Sequence, residues 1–420
     1  MARLAVPYAS AVSAIRICDA VMKIRVVDYV GSKGGGVRFT VQMLRALMLS
    51  GRNYQLELVS HGPALVHYRA LLPRFGIECL YRDLPPLNAW GWNGFLGYVL
   101  SPEAVMDCDV AWFSWIHRHR IVLDPTRLVV GSFHDGLMFN EPALINIDPR
   151  AATQERETTR MWLQSPAVLA ASSRFWIERL SQSFGVPTQR LTLIPISGDH
   201  EPADAVAEAP APQLPDPYLL CPANVSVHKN HEVLIRGFAM AQIGWPLVLT
   251  GSDSDLVNNQ PFWHRFKRRI AVALGLRPRL RPPQLNHLAR ELGLKRGANF
   301  FPLGYVEEPI YDLILKRAAC LVMPTLGEGG GSFPVEEAVR RGIPVICSDI
   351  PVLQEHMTRI GADVLWFDPT DPAALAGRLS ELKTHYPAIR ELAQSQVVRL
   401  KPRSWRDVAA EYAVLFAPPA

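Results

Sequence analysis

The sequence predicts an α/β protein made of two Rossmann-like, doubly wound domains, and three observations lead there. Short β-rich apolar runs alternate with amphipathic helical stretches in two successive series. The segment Gly198–Pro217 (GDHEPADAVAEAPAPQLPDP) is rich in proline, alanine and acid, lacks periodicity, and separates the two series as a linker. Each series also carries a strand that runs through a glycine-rich loop into a helix. A chain of 420 residues is long for one core and sufficient for two. The expected boundaries are an extension at 1–21, a first domain at 22–200, the linker at 201–217, a second domain at 218–398 and a C-terminal helix at 399–420.

The opening stretch, MARLAVPYASAVSAIRICDAV, is weakly apolar and interrupted by Arg16 and Asp19, so it reads as an extension and not as a signal peptide. Ile24–Tyr29 is the first strand. A loop at Val30–Gly36 follows, then a helix with Val37, Val41, Leu44 and Met48 on one face. The loop reads Gly31, Ser32, Lys33, Gly34, Gly35, Gly36, which is not the GxGxxG fingerprint, and no acidic residue ends a second strand to hold an NAD ribose. It suits the close approach of a substrate or a diphosphate. Further strands are expected at Leu56–Ser60, Val110–Ser114, Leu128–Ser132, Val168–Ser172 and Leu191–Ile196.

The second series runs through Tyr218–Cys221, a helix from His231, Pro246–Thr250, Asn299–Leu303, Ala319–Met323, Pro344–Ser348 and Val364–Phe367. Within it, Phe262–Pro283 (FWHRFKRRIAVALGLRPRLRPP) is strongly basic. Its arginines and aromatics suit an anionic membrane surface or a lipid-linked acceptor, and an ordinary solvated helix and loop is the alternative. The tail from Lys401 holds Trp405 and an amphipathic run to Phe416, suited to packing against one of the domains.

Apolar residues at 49% and charged residues at 20% are ordinary for a globular protein. The net charge of +5 admits an anionic substrate or a membrane surface and does not call for nucleic acid. The six cysteines lack CxxC spacing and lie mostly in apolar runs, as reduced thiols of a cytoplasmic protein do. No apolar run reaches membrane-spanning length. The expected location is therefore cytoplasmic, with a peripheral inner-membrane contact through residues 262–283.

Chemistry concentrates in Pro324–Asp349 (PTLGEGGGSFPVEEAVRRGIPVICSD). An apolar run enters a loop with Glu328 at its mouth and Gly329, Gly330 and Gly331 in succession, expected to turn sharply with positive φ. Ser332 suits an N-cap and Pro334 the first helical turn, with Glu336 and Glu337 just beyond. Free amides at such a helix start favour an anion, most simply a phosphate. Carboxylates there suit a neighbouring group rich in hydroxyls, such as a ribose or a sugar. The plainer alternative is a solvent-facing turn in which Glu336 and Glu337 pair with Arg340 and Arg341 at i,i+4.

Taken together, these features resemble the GT-B glycosyltransferases, in particular the large retaining family marked by a Glu-x7-Glu motif. The matches fall in the family's order from Met22 to the Trp405 region. They are the glycine loop at Gly34–Gly36, GSFHD around His134–Asp135, the SSRF…FGVP…LTLIPIS run, HKNHEVLIRGF at His228–Phe238, LVLTG at Leu247–Gly251, FFPLGYV at Phe300–Val306, and the stretch just described. The resemblance implies two Rossmann-like domains facing a central cleft, an acceptor domain first and a nucleotide-sugar donor domain second.

By the same resemblance Lys229 neutralises the donor diphosphate, Glu328 meets hydroxyls of the transferred sugar, and His134 stands near the reacting sugar. Gly35 and Gly36 let the first domain close over the diphosphate, amides near Gly331, Ser332 and Phe333 meet the phosphates, and Tyr305 and Val306 lie at the base. Gly251 belongs to the same donor side. Many members carry an arginine five residues before the lysine, where this chain has Asn224. The second motif glutamate, expected on the ribose, is Glu336 counting forward from Glu328 and Glu337 counting back from RRGIPV. A loop absorbs an insertion more easily than a helix does, which favours Glu337.

Asp107-Cys108-Asp109 and Asp253-Ser254-Asp255 spell the DxD that other sugar transferases use for a divalent ion, and His117-Arg118-His119 has poor ligand spacing. Both DxD triplets read as polar loops, the family works without metal, and neither metal nor cofactor is expected beyond a GDP- or UDP-linked sugar. The HD and HKN segments resemble mannosyltransferase-like members. The resemblance implies a metal-independent, retaining transfer to a saccharide or lipid-linked acceptor in polysaccharide or glycolipid synthesis. The rivals are a nucleotide-sugar epimerase or a phosphorylase, a non-catalytic nucleotide-binding or partner module, and a nicotinamide dehydrogenase.

Overall fold

The computed structural model describes residues 21–30, 35–92, 95–142, 149–199, 212–256 and 282–417. The N-terminal extension up to residue 20, Gly34, most of the linker and all but the last two residues of the basic 262–283 segment lie outside them.

Sixteen strands form three sheets among the described residues. The first half contributes β1 (Met22–Val27), β2 (Tyr54–Ser60), β3 (Leu80–Asp83), β4 (Asn88–Trp92), β5 (Phe95–Val99), β6 (Val110–Phe113), β7 (His119–Arg120), β8 (Val129–Phe133), β9 (Val168–Ala171) and β10 (Leu191–Leu193). The second contributes β11 (Leu219–Pro222), β12 (Leu247–Thr250), β13 (Phe300–Pro302), β14 (Cys320–Met323), β15 (Val345–Ser348) and β16 (Leu365–Phe367). A seven-stranded parallel sheet has the order β10-β9-β8-β6-β1-β2-β3, and a six-stranded parallel sheet the order β13-β12-β11-β14-β15-β16. Strands such as Val110–Phe113 and Cys320–Met323 are buried at every residue, which is why they read as unbroken apolar runs. The small sheet β4-β5-β7 and the edge strand β3 were not expected. β3 is LYRD, half-exposed, with no apolar alternation to mark it.

The helices include α1 (Gly35–Met48), α2 (Pro149–Gln164), α3 (Arg174–Phe184), α4 (His231–Ala241), α5 (Glu308–Arg317), α6 (Phe333–Arg340), α7 (Pro351–Ile360) and α8 (Trp405–Leu415). Helix α8 starts with a Ser404–Asp407 capping box and returns to the first half. Its Trp405, Val408, Tyr412 and Phe416 join the core of β1, β6 and α1. Ser132 of β8 and the Tyr412 hydroxyl lie 2.7 Å apart. The chain therefore crosses between halves twice, and the crossings touch: Ser197 Oγ donates to the Arg403 carbonyl at 2.6 Å, and Trp405 Nε1 to the Asp199 carbonyl at 2.7 Å.

Strand order reverses between β1 and β6 in one sheet and between β11 and β14 in the other. Open α/β sheets bind ligands outside the carboxyl ends of the strands at such switch points. The carboxyl edges of the two sheets face each other, with Gly329 and Gly330 after β14 against His134 and Ser172 after β8 and β9.

Candidate functional site

In the first half, the buried Asp28 follows β1 and accepts from Thr40 Oγ1 at 2.7 Å, Tyr68 OH at 2.7 Å and Ser114 Oγ at 2.8 Å. These bonds tie the ends of β1 and β6 to α1 and so place the start of α1 at the cleft. At Gly36 a Cβ would lie 2.9 Å from the Trp115 indole, too close for any side chain. Trp115 packs on His134 with ring centroids 4.4 Å apart, and Phe39 meets His134 edge-on, also at 4.4 Å. His134 Nε2 lies 2.9 Å from the Ser114 carbonyl. A carbonyl only accepts, so Nε2 carries the proton and Nδ1 is left as an acceptor. Burial lowers the His134 pKa to about 4, which keeps the ring neutral at pH 7.

In the second half, Lys229 follows β11 in a single turn closed by Asn230 at φ 55°, and Glu328 follows β14. Leu326 N–H and Thr325 Oγ1 both donate to the His228 carbonyl, at 2.6 and 3.2 Å, so the two segments are bound together. Lys229 Nζ lies 2.6 Å from Glu328 Oε1. Two residues 99 positions apart in sequence thus meet at the switch point.

The glycine loop after Glu328 lies against the first half. A Cβ at Gly330 would stand 2.4 Å from Ser172 Cβ, and one at Gly329 would stand 2.9 Å from the His134 carbonyl oxygen. Ser173 Oγ donates to the Gly329 carbonyl at 3.3 Å, and Trp176 Nε1 to the Glu328 carbonyl at 3.1 Å. The expectation of three positive-φ glycines is corrected here. Only Gly331 has positive φ, at 133°, while Gly329 and Gly330 serve close contact between the halves. Ser332 takes the N-cap position and Pro334 the first turn, but the serine side chain makes no capping bond. Its amide donates instead to His356 Nδ1 at 3.2 Å.

Glu336 and Glu337 are both 1% exposed and diverge completely. Glu336 Oε2 accepts from His356 Nε2 at 2.7 Å, and Oε1 pairs with Arg340 at 2.9 Å. Burial would raise its pKa, but the hydrogen bond from His356 and the guanidinium of Arg340 outweigh that and hold it down at about 2. Gly198 packs on the Glu336 side chain, and Arg340 reaches Asp199 and the Arg403 carbonyl, where the two crossings meet. Glu337 makes no such bonds. Tyr311 OH of α5 donates to its Oε2 at 2.9 Å, and Arg38 of α1, from the opposite half, forms an ion pair with Oε1. The plainer i,i+4 reading thus holds for Glu336 with Arg340. It fails for Glu337, because Arg341 turns to Asp312 at 2.7 Å and to the Glu337 carbonyl.

The remaining expected residues sit at the same edge. Gly251, at φ 118°, packs against the Ala223 backbone, and its amide donates to the Gly304 carbonyl at 2.8 Å. Asn224 follows β11 and is exposed; Tyr305, 44% exposed, and Val306 follow β13 just after Gly304. At Gly35 a Cβ would touch the Phe333 ring at 3.4 Å, so the starts of α1 and α6 face each other.

The DxD triplets lie in turns. Asp107 and Asp253 have φ of 60° and 62°, and Asp109 accepts from the Lys23 amide at 2.7 Å. His119 Nδ1 is held 2.6 Å from the Trp115 carbonyl. Among the described residues, no group of three or more His, Cys, Asp or Glu is arranged to hold a metal ion. Sequence reasoning missed Arg38, Trp115, Tyr311 and His356. Each is a lone residue on a helix or loop, brought to the site by pairing of elements far apart in sequence, and no local motif marks it.

Comparison with known proteins agrees with this architecture. Residues 206–395 match the family model described as group 1 glycosyl transferases. The crystal structure of HepE from Anabaena with UDP and glucose is similar at 13% identity and a TM-score of 0.63, over 94% of this chain and 98% of that one. Sucrose-phosphate synthase from Thermosynechococcus elongatus is similar at 17% identity and a TM-score of 0.58, over 94% and 98%. WaaG, described as a glycosyltransferase of lipopolysaccharide biosynthesis, is similar at 13% identity and 0.60, over 94% and 100%. A search of curated proteins finds no match. The chain has the GT-B fold, and its second half matches the group 1 glycosyl transferases.

Proposed function

We propose that the chain is a retaining glycosyltransferase that moves a sugar from a nucleoside-diphosphate sugar to a hydroxyl of a saccharide or lipid-linked acceptor, in bacterial cell-surface polysaccharide or glycolipid synthesis. The observation that carries this reading is the Lys229–Glu328 pair, 2.6 Å apart at the switch point of the half that matches the group 1 family. It sets a cation for a diphosphate beside a carboxylate for hydroxyls. The fold neighbour HepE, crystallised with UDP-glucose, supports a nucleotide sugar as donor.

In this reading the bond between the anomeric carbon and the phosphate oxygen breaks, and negative charge grows on the departing diphosphate. Lys229 stabilises that charge, which is where catalysis by differential binding acts. The Ser332 amide is engaged with His356 and Pro334 has none, so the first turn of α6 offers Phe333 and Val335. The acceptor oxygen attacks from the face the diphosphate leaves, and its proton passes to the departing phosphate oxygen. Glu328 accepts from sugar hydroxyls, Glu337 from the ribose, and the free Nδ1 of His134 from a hydroxyl of donor or acceptor. Contact of Gly329 and Gly330 with the first half excludes water, whose attack on the donor is the competing reaction. The nucleotide sugar is the co-substrate, and the steps named require no metal or further cofactor.

Among the described residues no helix is long and apolar enough to cross a membrane, and the reading places the enzyme at the cytoplasmic face with a peripheral contact through 262–283. The test is incubation with UDP- and GDP-sugars and saccharide or lipid-linked acceptors, following nucleoside diphosphate release and product anomeric configuration by NMR. Acceptor-dependent release with retained configuration is expected. Binding without turnover would favour a partner module, and product formed without acceptor an epimerase.

A further inference from the structure

Arg38 stands in the first turn of α1, and its guanidinium crosses the cleft to Glu337. It lies over the Phe333 ring, 4.8 Å from the centroid, at the start of α6. The side chain is 15% exposed, yet Nε and Nη2 are buried without a hydrogen-bond partner among the described residues. A guanidinium carries five N–H donors in a planar fork that matches the paired oxygens of a phosphate. Buried donors left unmet are costly, so this fork is under-used by the protein alone.

In the second half, the start of α6 leaves the Phe333 and Val335 amides for an anion. Asn224, exposed after β11, carries no charge. Of the amides at the start of α6, that of Ser332 is bonded to His356 and Pro334 has none. Among the described residues of the second half, Lys229 is the cation placed beside Glu328 at the switch point.

We propose that Arg38 is the second cation of the diphosphate site, supplied from the opposite half of the molecule. It rests on the donor-site reading above. On nucleotide binding the guanidinium leaves Glu337 for the phosphates, and Glu337 turns to the ribose hydroxyls. Lys229 and Glu328 make the same exchange on the other side of the glycine loop. Because Arg38 belongs to α1 and Phe333 and Glu337 to α6, the diphosphate bridges the two halves, and its binding favours closure.

The test is isothermal titration of a nucleoside and its mono- and diphosphate, for the base that wild type binds, on wild type, Arg38→Ala and Arg38→Lys. Arg38→Ala is expected to lose tenfold or more in diphosphate affinity while nucleoside affinity stays within twofold, and Arg38→Lys to recover part of the loss. Should Arg38→Ala not fold, the variant Arg38→Ala/Glu337→Gln compared with Glu337→Gln alone carries the same comparison. Equal or tighter diphosphate binding by Arg38→Ala would overturn the inference, since Arg38 would then be only a plug on Glu337. If wild type binds none of the nucleotides, the donor-site reading itself fails and takes this inference with it.

Discussion

The two faces of α6 put the same side chain to different uses. Successive helical residues point about 100° apart, so Glu336 and Glu337 leave the helix in different directions from equal burial. On the inner face, Glu336 is bonded by His356 and Arg340, beside the crossings at Gly198–Asp199 and Arg403. On the cleft face, Glu337 is held by Tyr311 and by an arginine that belongs to the other half. A carboxylate satisfied by its own neighbours helps fix Arg340 against the two crossings. On the proposed donor-site reading, a carboxylate whose cation comes from across the cleft is the one an entering ligand claims. The difference lies in ownership of the partners, since burial is the same.

The largest expected effect lies outside both faces and tests whether the cleft is catalytic at all. Lys229→Ala should lower kcat by about a hundredfold to a thousandfold, the loss typical of removing one transition-state charge donor, read in a nucleoside diphosphate release assay. Glu336→Gln sharpens the comparison from the inner face. It breaks a buried pair and should lower unfolding stability by about 3 kcal/mol, measured by denaturant titration, with nucleotide affinity within twofold of wild type.

The inner face also has a pH signature. The Glu336 pKa is about 2 in the folded chain and about 4.3 in an unfolded one. A depressed carboxylate contributes its full stability above the unfolded pKa and loses it as pH falls toward the folded one. Wild type should therefore lose more stability than Glu336→Gln between about pH 4.5 and pH 2. A smaller effect is expected at Gly330→Ala. The added Cβ meets Ser172 at 2.4 Å and should hold the halves apart. Turnover should drop about tenfold while affinity for the free nucleoside stays unchanged, as steady-state kinetics and titration would show.

Much of the fold was legible because parallel strands buried on both faces are written as continuous apolar runs. Val110–Ser114 and Ala319–Met323 were placed within a residue of the observed strands. Edge and irregular strands were not legible: Leu80–Asp83 is half-exposed and mixed in composition, and Asn88–Trp92 carries a glycine. At the site, Glu328 stands out locally at the mouth of the glycine loop, whereas Lys229 was singled out only through the family resemblance. Glu328 and Lys229 lie in the segments that follow β14 and β11, and the structure brings them to 2.6 Å. The glycines were found for a reason that was only partly right, since two of the three answer to the opposing half and not to their own φ. Arg38 and His356 could not be found from the sequence. Arg38 lies next to the apolar stripe of α1 and reads as a surface residue until the second half is placed against it.

The most direct test of the account is a thermal-shift panel of UDP, GDP, ADP and dTDP with their sugars on wild type, Glu336→Gln and Glu337→Gln. Only a ligand that binds the folded chain raises the midpoint. One nucleotide class should raise the wild-type midpoint, Glu336→Gln should start lower but keep the full shift, and Glu337→Gln should lose most of it. A shift lost in Glu336→Gln and kept in Glu337→Gln would contradict the division of labour between the two faces of α6. No shift with any nucleotide at millimolar concentration would contradict the donor site itself.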